Sequence, residues 1–271
     1  MVKKIGWLQQ QLDITGGAEM STGALIKHAP DWAEIVYCPP NKRPNTEELD
    51  CFVIQNSTNY SSSWIEELSM KPVIRHVRDP WLAGSALLRR WLLQNSKLMI
   101  FSSPTQYKHL GYEVKVPYKF IPPPVPLDDF KAHSKPEEER RGTVCVGRFD
   151  VYKGAMYIID WALASKEPLT VVGNNNYMNF GRLPSGINFV GEVGYKFMPE
   201  ILGSHKNYIA MPMWVEAFGR SVVEAWAAGC NLILGGRIGA QWWIENEPER
   251  LGYMNPIKEF WEAVEEVLGG S

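Results

Sequence analysis

Two basic and two acidic side chains, Arg148, Lys153, Glu216 and Glu224, stand out because each follows an apolar run or lies inside one. In Val146-Gly147-Arg148-Phe149-Asp150-Val151-Tyr152-Lys153-Gly154, Gly147 supplies a turn, Arg148 comes directly after it, and Lys153 falls where a helix is due to begin. Arginine grips phosphate oxygens through a planar fork and lysine adds a compact charge, so two such cations at one strand end suit a diphosphate. The same pair also suits an ordinary surface loop, and the two residues alone do not decide between these readings.

Further on, Met211-Pro212-Met213-Trp214 leads into Val215-Glu216-Ala217-Phe218-Gly219-Arg220-Ser221-Val222-Val223-Glu224-Ala225. Glu224 is set among Val222, Val223, Ala225 and Trp226, where an unpaired carboxylate would cost several kcal/mol, roughly, so it needs a partner or a polar ligand. One carboxylate can accept hydrogen bonds from both hydroxyls of a ribose, which suits Glu224 one turn into a helix. Backbone N–H groups at Phe218, Gly219 and Arg220 would then face phosphate at the positive helix end. Glu216, just outside that end, could take hydroxyls of a sugar. A salt-bridged Glu224 and a solvated Glu216 are the plainer alternatives.

These residues need a scaffold that brings strand ends together, and the chain supplies one by alternating short apolar runs with helix-like segments. Strands are expected near Lys4–Leu8, Glu34–Tyr37, Cys51–Gln55, Val73–Val77, Leu98–Ser102 and Lys119–Ile121, then near Thr143–Gly147, Leu169–Gly173, Ile187–Gly191, Tyr208–Met211 and Leu232–Gly235. Helices are expected at Trp81–Asn95, Lys153–Ser165, Tyr195–Gly203, Gly219–Ala228 and Pro256–Leu268. The polar, proline-broken stretch from Pro122 to Gly142 reads as a linker between two parallel α/β halves. The expected domains are 1–130, 131–255, and a last helix, 256–271, that can cross back to the first. Ligands of open parallel sheets bind beyond the carboxyl ends of the strands, so two such halves should face each other across a central cleft.

Composition excludes several alternatives. With 271 residues and 45% hydrophobic content the chain can bury substantial cores, and a net charge of -2 gives no footprint for nonspecific nucleic-acid binding. Cys38, Cys51, Cys145 and Cys230 lack metal-ligand spacing and read as buried thiols of a reducing compartment. The histidines show no metal-ligand spacing, and no Asp-x-Asp pair is present to hold a divalent ion, so no metal and no cofactor beyond the substrate is expected. Neither a leader nor a membrane-spanning run is expected, which places the protein in the cytoplasm. The helix Trp81–Asn95 combines Leu82, Leu87, Leu88 and Leu92 with Arg89 and Arg90; such a helix is more often core-facing with a solvated basic edge, and peripheral contact with an anionic membrane is the alternative.

In the first half, Gly16-Gly17-Ala18-Glu19 opens a helix-like stretch and would let backbone approach a phosphate or an acceptor closely. His76, in Val73-Ile74-Arg75-His76-Val77-Arg78-Asp79-Pro80, is expected at a strand end, bonded either to a ligand or to Asp79.

The ordered series from Val146-Gly147-Arg148 through Lys153-Gly154, Val171-Val172-Gly173, Phe189-Val190-Gly191 and Pro212 through Glu216-Ala217-Phe218-Gly219 to Glu224-Ala225 and Gly229 resembles the retaining glycosyltransferases of family 4. Gly16-Gly17 and Ile121-Pro122-Pro123-Pro124-Val125 extend the likeness over nearly the whole chain. The resemblance implies the GT-B fold, with two Rossmann-like domains. It further implies sugar transfer, with retained configuration, from a UDP- or GDP-type nucleotide sugar to an unidentified acceptor. By the same resemblance Arg148 and Lys153 would bind the diphosphate, Glu224 the ribose, Glu216 and His76 the sugar, and Ala217, Phe218 and Gly219 would line the donor site, with Gly16, Gly17 and Gly147 in its loops. Two departures bear on donor identity: Ala217 replaces the commoner glycine, and Asn174-Asn175-Asn176 replaces an Asp-Gly. A silent nucleotide-sugar-binding protein on the same fold is the alternative. A nicotinamide enzyme is disfavoured, since no strand is followed by a complete GxGxxG with its acidic partner.

Overall fold

The computed structural model describes residues 1–9, 16–40, 42, 45–55, 60–79, 86–110, 114–174 and 184–269. Eleven strands form among them: β1 (Lys3–Leu8), β2 (Ala33–Tyr37), β3 (Cys51–Ile54), β4 (Val73–Val77), β5 (Leu98–Phe101), β6 (Tyr118–Phe120), β7 (Thr143–Val146), β8 (Leu169–Val172), β9 (Ile187–Gly191), β10 (Asn207–Ala210) and β11 (Asn231–Leu234). The helices are α1 (Gly17–Lys27), α2 (Ile65–Ser69), α3 (Ala86–Asn95), α4 (Pro104–Leu110), α5 (Leu127–Ala132), α6 (Ala155–Ser165), α7 (Met198–Ser204), α8 (Arg220–Ala227), α9 (Gly239–Asn246) and α10 (Met254–Val267). Each expected strand lies within a residue or so of an observed one. The first turn and a half of the expected helix Trp81–Asn95 lies outside the described residues.

All strand pairs are parallel. The first sheet has the order β2-β1-β3-β4-β5-β6 and the second β11-β10-β7-β8-β9. Both are doubly wound: the chain leaves a central strand in one direction, then returns to its other side. In each sheet, therefore, two neighbouring strands send their following loops opposite ways, at β1/β3 and at β7/β10. Central strands such as Cys51-Phe52-Val53-Ile54 and Leu98-Met99-Ile100-Phe101 are apolar throughout because helices cover both faces.

The chain divides into two compact units, Met1–Pro124 with Glu247–Ser271, and Val125–Asn246. In the first, Ile5, Trp7, Cys51, Val53, Ile74 and Ile100 pack against Ala24 and Leu25 of α1 and against Phe260, Trp261 and Val264 of α10. The buried positions of α10, Ile257, Phe260, Trp261 and Val264, recur at helical spacing, and the Trp261 indole donates to the Leu25 carbonyl at 3.0 Å. Arg250 fastens the incoming segment by donating to the Phe120 carbonyl at 2.8 Å and to Glu259 at 2.7 Å.

The stretch expected to be a linker, Pro122 to Gly142, is partly helical. Its α5 buries Leu127 and Phe130 and packs on α7 and α8, and Gly203 lies so close to the His133 carbonyl that no Cβ fits between them. A six-residue helix with two apolar positions is too short to show a period, which is why the sequence reads as irregular there.

Phe260 is fully buried against Trp7 and His76, with ring centroids 5.7 and 5.1 Å away. Phe260→Ala should destabilise the first unit by about 3–5 kcal/mol, measurable as a lowered midpoint in chemical denaturation.

Candidate active site

Because β7 and β10 are neighbours, the loops that follow them, Gly147–Gly154 and Met211–Gly219, start side by side at the carboxyl edge of the second sheet. The Met213 amide donates to the Tyr152 carbonyl at 3.0 Å and ties the two loops together. Gly154 has φ +76°, and a Cβ there would collide with the Met211 carbonyl. Only glycine combines that backbone conformation with that approach.

Within the first loop, buried Asp150 organises both cations. Its carboxylate accepts from the Lys153 backbone amide at 2.9 Å and pairs with the Arg148 guanidinium at 3.2 Å. The Lys153 ammonium in turn pairs with the Glu216 carboxylate from the second loop. Glu216 is held through its backbone: its amide donates to the Arg237 carbonyl at 2.9 Å, and its own carbonyl accepts from Gly239 at 3.0 Å. Arg148, Asp150, Lys153 and Glu216 thus form one chain of contacts across two loops.

Gly219, with φ +87°, ends the second loop and opens α8; a Cβ there would crowd Ile238 and the Glu216 side chain. One turn into α8, Glu224 is only 4% exposed and does have partners. The Tyr195 hydroxyl donates to its Oε1 at 2.9 Å, and Arg220, four residues earlier, reaches the same oxygen at 3.3 Å. Arg220 also donates to the Tyr195 hydroxyl at 3.2 Å. Burial lifts the Glu224 carboxyl above the ordinary glutamate range, and the Arg220 charge and the Tyr195 hydrogen bond oppose that lift. Ala217 and Phe218, expected to line the site, are buried, and the Phe218 carbonyl accepts from Ala240 at 2.6 Å.

At the neighbouring edge, Gly147 has φ +122° and donates to the Val172 carbonyl at 2.9 Å, while Gly173 presses on the Gly147 carbonyl. Asn174 donates to Glu192 at 2.7 Å; Asn175 and Asn176 lie outside the described residues.

Gly16, Gly17 and His76 belong to the first unit. Gly16 precedes α1 in extended conformation and Gly17 is its first residue. His76 is the next-to-last residue of β4, at the strand end as expected, and is buried with its ring against Phe260 and no hydrogen bond to Asp79. Burial, then the Arg78 and Arg75 charges, keep its imidazole well below the ordinary range and so neutral.

Asp150 and Tyr195 were not expected from sequence. Asp150 had a local signal, an aspartate three residues before Lys153 in a turn, the spacing at which a carboxylate caps a backbone amide. Tyr195 had none, because its partner Glu224 lies 29 residues away.

Among the described residues, no group of three or more His, Cys, Asp or Glu side chains is arranged to hold a metal ion, and no helix is long and apolar enough to cross a membrane. A cavity of about 580 Å³ lies at the opposite, amino edge of the second sheet, between Arg140, Glu167 and Lys206, away from this cluster.

The two Rossmann-like halves with parallel sheets have the GT-B fold. The sequence matches no protein-family model and no curated protein. The structure is similar to that of a glycosyltransferase from Rickettsia africae, at 14% identity over 100% of this chain and 99% of the other, TM-score 0.70. It is also similar to Anabaena HepE in complex with UDP and glucose, at 14% identity over 97% and 99% of the two chains, TM-score 0.67. A third is sucrose-phosphate synthase from Thermosynechococcus elongatus, at 16% identity over 98% and 90%, TM-score 0.67. At such identities the likeness is one of fold.

Gly154→Ala should cost more than about 1 kcal/mol in denaturant unfolding, since both the left-handed backbone and the contact with Met211 would be strained.

Proposed function

We propose that this chain is a glycosyltransferase that binds a nucleotide-diphosphate sugar at the carboxyl edge of its second sheet and transfers the sugar, with retained configuration, to a separate acceptor. The observation that carries the reading is the convergence of Arg148, Lys153 and Glu216 on two adjoining loops, with Glu224 on the helix that the second loop opens. The GT-B fold and the UDP-bound state of HepE support it.

In this reading the cations are held ready before substrate arrives, Arg148 by Asp150 and Lys153 by Glu216. A diphosphate entering between the loops takes the Arg148 fork and draws the Lys153 ammonium to its oxygens. Glu216, released from Lys153, turns its carboxylate to the hydroxyls of the sugar. As the bond to the anomeric carbon breaks, negative charge grows on the departing phosphate, and the two fixed cations with the N–H groups at the start of α8 stabilise it. That arrangement makes a metal dispensable, and metal independence is part of the proposal. Glu224 accepts from the ribose while Tyr195 and Arg220 fix its rotamer. UDP and GDP donors both fit this scheme. A cytoplasmic location, with α3 as the element for any peripheral membrane contact, completes it.

Glu224→Ala should weaken UDP or GDP binding by about 10- to 100-fold in calorimetry, the loss expected for hydrogen bonds to a charged group. Lys153→Ala should lower the transfer rate with a donor panel at least as much. No binding of either nucleotide to the wild type, with no donor hydrolysis or transfer, would refute the reading.

The pH dependence gives a second check. Glu224 accepts ribose hydrogen bonds fully only when ionised, and its folded-state pKa is raised. Nucleotide affinity should therefore decline as pH falls through a range where an exposed glutamate would still be charged. Glu224→Gln should remove that component, leaving only the titration of the nucleotide itself.

A further inference from the structure

The first sheet holds a buried charge that the scheme above does not use. Arg75, the central residue of β4, is fully buried. It lies opposite Ile54 of β3 in the register, and strand alternation sets it on the face of Val73, which packs with Phe52, Leu88 and Leu92. His76 and Gln55 belong to the other face, where His76 meets Phe260 and Gln55 accepts from the Trp7 indole at 3.2 Å. Arg75 thus brings a cation into an apolar layer.

Only part of its guanidinium is used. Nη1 donates at 2.9 Å to the carbonyl of Ile54, the last residue of β3, which puts the group at the carboxyl end of the sheet. Nε and Nη2 are buried and have no hydrogen-bond partner. These two atoms share one edge of the planar group, so their N–H bonds run parallel and form the fork that grips two oxygens of one carboxylate or phosphate. Among the described residues no carboxylate occupies that fork. Asp79 acts on Arg75 through its charge alone: burial pulls the guanidinium down to about 10, and Asp79 opposes this only in part. Burial also raises the Asp79 carboxyl, which makes it a poor counter-ion. Native proteins seldom leave a buried cation with donors that meet no acceptor, and this one lies at the strand ends where open parallel sheets bind ligands.

We propose that the Arg75 fork binds an oxyanion, the carboxylate or phosphate group of a small ligand held by the first unit. An oxyanion supplies both things the site lacks, a pair of acceptors for Nε–H and Nη2–H and a negative charge. A neutral hydroxyl would meet one donor and leave the charge uncompensated. Because the guanidinium is fully buried, its occupant is enclosed, which suits a small ion or the terminal group of a larger molecule. Two sources share this chemistry, a free phosphate or carboxylate ion and the same group carried on a sugar. The fork is built on β3 and β4 of the first unit alone, so the inference does not rest on the glycosyltransferase reading.

The test uses the full chain carrying Arg148→Ala and Lys153→Ala, which removes the two exposed cations of the second sheet as rival phosphate sites. Calorimetry follows inorganic phosphate, acetate, glucose-6-phosphate and glucuronate, with glucose as the neutral control. At least one of the oxyanions should bind, and more tightly than glucose. Adding Arg75→Lys, which keeps the charge and loses the fork, should weaken that binding about tenfold or more. Binding of phosphate or acetate marks a free-ion site, and binding confined to glucose-6-phosphate or glucuronate marks an anionic sugar. No oxyanion bound, glucose bound as tightly, or an affinity that Arg75→Lys leaves unchanged overturns the inference. Should Arg75→Lys fail to fold, arginine side-chain NMR of the parent chain decides. One Nε–H signal protected from solvent exchange should move downfield at saturation, and protected signals that all stay in place overturn the inference. Failure in any of these arms leaves the nucleotide binding of the wild type, on which the proposed function stands, as a separate measurement.

Discussion

A parallel strand pair cannot be joined by a tight turn, so every strand of this chain must be followed by a crossover, and a sheet wound outward both ways must contain one place where neighbouring loops part. In the second sheet that place is β7/β10, and the candidate site is built on it. Gly154 pressed against the Met211 carbonyl and the Met213 amide bonded to Tyr152 keep the two loops in contact. Without that backbone contact, Lys153 and Glu216, sixty-three residues apart in the chain, would have no reason to meet.

Around this constraint the structure manages charge by pairing. Arg148 and Lys153 are partly exposed and each has a carboxylate partner, so they keep hydration while being aimed. Glu224 is buried, and there the cost of desolvation is offset by a hydroxyl and a guanidinium on one oxygen. The difference matters for function, since an exposed ion pair exchanges partners at little cost and a buried one does not. Lys153 and Glu216, both half-buried, lie between the two kinds and keep enough access to give way to a ligand. Arg220, Tyr195 and Glu224 belong to the second and form a fixed surface.

The first unit has a different chemistry at its equivalent reversal. There the polar groups near β1/β3 are neutral amides and an imidazole whose charge is suppressed by burial and by neighbouring arginines. The same face is covered by α10, which follows the second unit in sequence and places Phe260 and Trp261 on the sheet.

The sequence alone carried the eleven strands found among the described residues, because short, mostly apolar runs of three to six residues bounded by turns have few other outcomes in water, and it marked the charged residues to watch because they interrupt those runs. It also carried the α/β class, through alternation. It did not contain the helix Leu127–Ala132, whose two apolar residues set no period, or the burial of His76, which depends on Phe260 arriving from the far end of the chain. Nor did it reveal that Asp150 and Tyr195 orient the residues it had singled out. Local pattern reports which face of an element is apolar. Which polar groups meet is decided by strand order and crossover direction, and these are set only when the whole sheet assembles.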